Sequence, residues 1–192
     1  MEKPDFEVPP EEPIPVSFTG SKVVVWDSQN GSRLFRFGYY GKPVGIRKPK
    51  SSYVDRPFEL TLLESLYLAE NNHIQVNQHG KILTSSDFRR EIAKVRFHLF
   101  DDLYLVYKDL RDNRYIVRPG LKFGSDFSVY RQGPGVDHAM FLIRVIPRGA
   151  LLHPLDLVSA GRLANSVKKR FILATVISET QIRYYEFKWT KP

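Results

Sequence analysis

The sequence predicts a mixed α/β (α+β) protein, with a small mixed N-terminal domain followed by a C-terminal domain built on a central mixed β-sheet flanked by helices. Three observations carry that expectation. Apolar residues recur every three or four positions over residues 59–70 and again from Ser86 to Lys108, the spacing of helices packed on a core. Runs rich in β-branched and aromatic residues, such as KVVVWD at 22–27 and FILATVI at 171–177, alternate with them. A length of 192 residues, 42% hydrophobic and 13% aromatic, suits one large domain or two small ones with real cores.

The first fifteen residues hold five prolines (Pro4, Pro9, Pro10, Pro13 and Pro15) and four glutamates, so residues 1–15 are expected to be an extended, flexible tail outside any helix or sheet. Lys22–Asp27 and Arg33–Tyr39 flank Ser28-Gln29-Asn30-Gly31, which predicts two strands joined by a turn. Gly41–Ser52 is a basic loop rich in proline and glycine. Glu59–Glu70, with leucines at 60, 62, 63, 66 and 68, predicts a helix, and Arg89, Ile92, Val95, Leu99 and Leu103 extend a second one to about Lys108. Asp112-Asn113 breaks that pattern, so the boundary is expected between 108 and 114, giving domains at 16–110 and 111–192. The second half then reads as strands at 114–117, 126–131 and 138–146, a helix from near Asp156, and strands at 171–177 and 181–189. The 171–177 run is unbroken, as in a strand buried on both faces.

Charge is distributed unevenly. Residues 1–112 hold 16 Lys and Arg against 16 Asp and Glu, whereas residues 113–192 hold 13 against 5, so the whole formal charge of +8 lies in the last 80 residues. A concentrated positive field attracts a polyanion, and phosphate contacts are the main affinity term for nucleic acids. The chain contains no cysteine, which excludes disulfides, thiolate zinc sites and cysteine nucleophiles. It has no apolar run long enough to span a bilayer and no signal-like start, so a soluble, cytoplasmic protein without membrane association is expected.

Two segments bring reactive groups together. On a wheel at about 100° per residue, Leu157, Ala160, Leu163, Ala164, Val167 and Phe171 share one side of a helix over 156–171, with Val158 out of place. Arg162, Asn165, Ser166 and Lys169 share the other, with Arg162 and Lys169 stacked about 10 Å apart along the axis. Alone, such a helix is a solvated surface. The neighbouring hairpin alters that reading, because Tyr130 ends one expected strand and His138 begins the next. In an antiparallel pair these two residues lie near each other at the mouth of the turn.

The string GLKFGSDFSVY at 120–130, Asp137-His138, AGRLANSVKK at 160–169 and Tyr184-Tyr185…Trp189 resemble the catalytic domain of the archaeal and eukaryotic tRNA-splicing endonuclease family. The resemblance is specific over about 115–192 and extends to 16–110 in general layout. It implies that Tyr130 is the general base, His138 the general acid and Lys169 the cation facing the transition state. A phenol is a weak base at neutral pH, and a nearby cation such as Lys169 is expected to favour the phenolate. Lys168 is adjacent, but on the helix it points about 100° away. The resemblance further implies that Arg162 and Trp189 clamp a flipped base, a contact worth roughly 1–3 kcal/mol.

RNA supplies its own nucleophile, the 2′-OH, so this chemistry requires no metal or cofactor. The products expected are a 2′,3′-cyclic phosphate and a 5′-hydroxyl. The substrate implied is precursor tRNA with a bulge–helix–bulge splice site. Lys42, Arg47, Lys48 and Lys50 of the basic loop are candidate further RNA contacts, or an ordinary basic surface. The family acts as dimers or tetramers, pairing C-terminal strands and inserting an acidic loop into a partner's basic pocket. The matching loop, Ser178-Glu179-Thr180-Gln181, is poor in acid. A heterotetramer with a non-catalytic homologous subunit is therefore expected, with a homotetramer or homodimer as the alternative. Two rival readings remain: a metal-dependent nuclease of restriction type using Asp156 and Glu186-Phe187-Lys188, and a non-catalytic RNA-binding subunit of the same complex.

Overall fold

The structure is a computed structural model and describes residues 8–46, 49, 51–95, 99–121, 124–155, 157–158, 161–162 and 169–187. The chain divides into two compact units, residues 1–97 and 98–192.

In the first unit, β1 (Ile14–Phe18), β2 (Val23–Val25), β3 (Lys42–Pro43), β4 (Phe58–Leu60), β5 (Ile74–Gln78) and β6 (Lys81–Leu83) form one sheet, in the order β3-β4-β2-β1-β5-β6. Helices α1 (Ser28–Gly38), α2 (Leu62–Glu70) and α3 (Ser85–Val95) accompany it. Alternate residues of the strands are buried: Ile14, Val16 and Phe18 on β1, Val23 and Val25 on β2, and Ile74 and Val76 on β5. Leu34, Leu66, Leu68, Phe88 and Ile92 of the helices are buried as well. Each fully buried side chain of this size contributes about 1.5–3 kcal/mol.

Several sequence expectations are corrected here. Pro15 lies inside β1, whereas the proline-rich stretch is expected from sequence to stay out of the sheet. Ile14 donates to the carbonyl of His73, which turns the backbone amide of residue 15 away from β5. On that side β2 pairs only with Ser17 and Phe18, so proline's missing N–H leaves no ladder bond unmade. Ser28–Gly38 is a helix rather than a turn and a strand. Asp27 caps it by accepting from Asn30 N at 2.7 Å. Gly31, expected in a turn, instead lets Phe58 approach: a Cβ there would sit 2.3 Å from the ring.

Leu60 belongs to β4, and α2 starts behind Thr61. There the Thr61 hydroxyl accepts from Glu64 N at 3.2 Å and the Glu64 carboxylate accepts from Thr61 N at 2.8 Å. The single helix expected over 86–108 is two, α3 and α4 (Phe100–Asp112). The division of the chain precedes α4, and the expected boundary at 108–114 is displaced accordingly. The buried Leu103, Tyr104, Val106, Tyr107 and Leu110 belong to a helix that packs on the second unit's strands. Helical periodicity is shared by both helices, so it does not show in the sequence that they are two.

In the second unit, β7 (Ile116–Pro119), β8 (Phe127–Tyr130), β9 (Phe141–Ile146), β10 (Arg170–Ser178) and β11 (Gln181–Phe187) form a mixed sheet in the order β11-β10-β9-β8-β7. Of these strands only β9 and β10 pair in parallel. A parallel pair needs a crossover of about a dozen residues or more, and the segment between Ile146 and Arg170 supplies it. Helix α4 packs against β7, β9 and β10, and buried Arg111 ties it to β7 by donating to the carbonyl of Val117 at 3.3 Å. Leu142, Phe171 and Leu173 form a further buried cluster, with Ile146, Leu157 and Phe187 against it. Phe171 is thus a strand residue, not part of the apolar stripe of a helix.

Candidate active site

Sheet register gathers three chain segments at one end of the second unit. Strand β8 terminates at Tyr130, while β9 and β10 start at Phe141 and Arg170. Val129 pairs with Phe141, and Phe141 pairs with Arg170. The end of β8 and the starts of β9 and β10 therefore lie side by side. Neighbouring strands are about 4.8 Å apart, so the three ends span roughly 10 Å. Tyr130 ends β8, Lys169 directly precedes β10 and His138 lies three residues before β9.

The motif preceding Tyr130 fixes its strand. Gly120 N donates to the carbonyl of Asp126 at 2.8 Å, and Asp126 N donates to the carbonyl of Ile143 at 2.9 Å. The Asp126 carboxylate accepts from Val145 N at 2.8 Å. Burial pushes that carboxyl above its ordinary range. Gly120 must be a glycine: a Cβ would lie 2.4 Å from Ser125 Oγ and under 3 Å from the Phe127 backbone.

Tyr130 is half-buried, and burial raises its phenol above the ordinary value. Arg118 opposes that shift and the Asp137 carboxylate adds to it. The register explains the arginine. Ile116 stands opposite Tyr130 and Arg118 opposite Ser128, so strand alternation puts Arg118 on the same sheet face as the phenol. The sequence points to Lys169 as the cation that favours the phenolate; among the described residues the cation acting on Tyr130 is Arg118 instead, and burial outweighs it. The phenol is protonated at neutral pH.

His138 is exposed and lies ahead of β9 rather than within a strand from 138 to 146. Its backbone is fixed on both sides. Asp137 accepts from Arg131 N at 3.0 Å, Gln132 N at 3.1 Å and Gly133 N at 2.8 Å. Beyond the histidine, Met140 N donates to the carbonyl of Val129 at 2.8 Å. Gly133 and Gly135 have φ of 122° and 93°, which only glycine adopts without strain in this tight loop.

Lys169 immediately precedes β10, so it is not carried on a helix reaching to 171. The parallel register with β9 aims its side chain at the segment before Phe141, and its ammonium donates to the carbonyl of Ala139 at 3.3 Å. The cation expected beside the histidine is thus bonded to the residue that follows it. Lys168 lies outside the described residues.

Arg162 is exposed, and among the described residues no hydrogen bond links it to Tyr130, His138 or Lys169. Trp189 and Lys48 lie outside the described residues. Lys42 is exposed on β3, opposite Glu59, in the first unit. Glu186, the carboxylate of the alternative metal motif, forms a bidentate pair with Arg170 at 2.6 and 2.5 Å. Arg170 also stacks over the Phe141 ring at 4.9 Å. Asp156 and Lys188 of that motif are not among the described residues. Among the described residues, no helix is long and apolar enough to cross a membrane.

Sequence reasoning gives no role to Arg118 or Asp137. An aspartate closing a Gly-Pro-Gly loop is a usable signal, since short acidic side chains accept nearby backbone N–H groups. Arg118 has none without the β7–β8 register.

Comparison with known proteins identifies the family. The family model for the tRNA intron endonuclease catalytic C-terminal domain matches residues 100–184, and that for the tRNA intron endonuclease N-terminal domain matches residues 14–89. The first of these starts where α4 does. The chain is similar to the tRNA-splicing endonuclease of Hyperthermus butylicus, 47% identical over 175 residues, covering 90% of this chain and 96% of the relative. At the same coverage it is 41% identical to the tRNA-splicing endonuclease of Saccharolobus solfataricus and 39% identical to one from Saccharolobus islandicus. With both domains matched and relatives this similar along nearly their whole length, the chain belongs to the tRNA intron endonuclease family.

Proposed function

We propose that this RNA endonuclease cleaves precursor tRNA at bulge–helix–bulge splice sites by attack of the substrate's own 2′-OH, with Tyr130, His138 and Lys169 as the reacting set. The observation that carries the reading is the convergence of the ends of β8, β9 and β10, with Lys169 bonded next to His138. Tyr130 accepts the 2′-OH proton as the oxygen attacks the adjacent phosphorus. His138 delivers a proton to the departing 5′-oxygen, and Lys169 opposes the charge gathering on the pentacoordinate phosphorus. The products are a 2′,3′-cyclic phosphate and a 5′-hydroxyl. Because burial holds the phenol in its protonated form, the reactive phenolate is a minor species at neutral pH, and the active form combines that phenolate with a protonated His138.

Each proton transfer of this kind contributes about 10²–10⁴-fold. Arg162 and Trp189 are proposed to stack on a splayed bulge base, and Lys42 and Lys48 to contact the RNA backbone. The proposed assembly is a heterotetramer with a non-catalytic homologous subunit. Two features support an assembly through the C-terminal strand. Strand β11 is an edge strand with exposed Tyr184 and Tyr185, a surface that proteins usually cover. The β10–β11 turn, Glu179-Thr180, carries a single carboxylate and leaves an acidic insertion to a partner. An active homotetramer of the pure chain in light scattering would refute the heterotetramer.

The test of the mechanism is a precursor tRNA carrying one 2′-deoxy nucleotide at the splice site, incubated with the assembled enzyme in EDTA. Cleavage of the all-ribose substrate to cyclic-phosphate ends, with no cleavage at the deoxy position, is expected. Cleavage at the deoxy position, or loss of all cleavage in EDTA, would overturn it.

A further inference from the structure

We propose that Asp137 is a positioning residue of the cleavage site, whose carboxylate closes the 131–137 loop on itself and so fixes the backbone that presents His138. The proposal rests on the reading of His138 as the proton donor. The geometry is unusual for a surface loop. Both carboxylate oxygens are used: Oδ2 accepts from Arg131 N and Gln132 N at 3.0 and 3.1 Å, and Oδ1 accepts from Gly133 N at 2.8 Å. Asp137 N in turn donates to the carbonyl of Gly133 at 3.0 Å, as does Val136 N at 3.1 Å. The residue before His138 is thereby bound to the residue directly after Tyr130.

On the other side of the histidine the same logic holds. The carbonyl of Ala139 accepts from the Lys169 ammonium, and Met140 N is bonded to Val129 on β8. His138 is therefore an exposed side chain on a backbone fixed at both neighbours. An imidazole that must reach a leaving oxygen gains from such restraint, because a displacement of about 1 Å costs on the order of 10²-fold in rate. Three successive N–H groups around one acceptor also demand a carboxylate. An asparagine offers one oxygen and turns its NH₂ toward at least one of the donors, leaving that N–H unmatched.

The measurement is single-turnover cleavage of bulge-containing precursor tRNA by the full chain in its active assembly. It compares Asp137→Asn, Asp137→Ala, His138→Ala and the two double variants, with RNA affinity and melting temperature recorded for each. A roughly 10–100-fold drop in the cleavage step for Asp137→Asn is expected, with RNA affinity unchanged within about twofold. In the His138→Ala background, Asp137→Asn should bring no further loss, because the group it positions is gone. Wild-type cleavage by Asp137→Asn would overturn the proposal. So would an equal loss in the presence and absence of His138, or losses that track RNA affinity or a collapsed melting temperature in both Asp137 variants. Full activity of His138→Ala would refute the underlying assignment of the acid, whatever Asp137 does, so the two failures are distinguishable.

Discussion

The Lys169 ammonium donates to the backbone carbonyl of Ala139 at 3.3 Å, so the cation that begins one strand is bonded to the residue following His138. This contact spans 30 positions of sequence and depends on the parallel pairing of β9 and β10. It gives Lys169 two jobs in the proposed reaction, charge and placement. Replacement by methionine, which keeps the chain length and removes the charge, should lower single-turnover cleavage by about 10²–10³-fold, the usual effect of losing one donor to a developing oxyanion. Binding of precursor tRNA should change far less. Rate constants from rapid quenching and affinities from filter binding separate the two. A loss confined to affinity would remove Lys169 from the chemical step.

Among the described residues, Arg118 is the cation that acts on the Tyr130 phenol, against the stronger effect of burial. Removing it raises the phenol further above its ordinary value, so less phenolate exists at any pH below that value. Arg118→Gln should therefore slow cleavage severalfold to about tenfold near neutrality. At a fixed pH, with the protonation of the acid unchanged, the rate follows the phenolate fraction, so about a tenfold loss of phenolate is about a tenfold loss of rate. An unchanged rate at neutral pH when Arg118 is replaced would show that another group accepts the proton.

Gly120 meets Ser125 and the Phe127 backbone so closely that even one methyl group must displace β8 or the turn before it. Gly120→Ala should destabilise the C-terminal unit by about 1–3 kcal/mol, the range for overpacking. Differential scanning calorimetry should show a lower melting temperature than for the unmodified chain. An unaltered thermogram would mean that the turn relaxes at no cost.

The Glu186–Arg170 pair separates the proposed chemistry from the metal-dependent alternative. Glu186→Gln disrupts a partly exposed ion pair at the β10–β11 ladder, whose worth is modest at a surface site, about 0–1 kcal/mol. Cleavage in EDTA should persist with a rate constant within a few-fold of the unmodified enzyme. A loss of several orders of magnitude would make the carboxylate part of the reaction.

Much of the candidate site is legible in sequence because Tyr130, His138 and Lys169 sit in strings whose residue types have local reasons. Gly120 is required by close packing, Asp126 by its carboxylate's bond to Val145 N on β9, and Gly133 and Gly135 by positive φ. What sequence cannot show is long-range. The β7–β8 register puts Arg118 on the phenol's side of the sheet, and β10 begins one residue after Lys169 rather than past a longer helix. In the N-terminal unit the aromatic run RLFRFGY reads as a strand, yet the Asp27 cap and the fit of Gly31 against Phe58 make it a helix. Residues 86–108 keep a helical period across two helices, so periodicity alone does not locate the division of the chain.

The rate of precursor-tRNA cleavage by the His138→Ala enzyme, in its active assembly and under single-turnover conditions, bears most directly on the acid–base account. A fall of about 10²–10⁴-fold, with RNA affinity retained, is the expected result. Cleavage at the unmodified rate would contradict it.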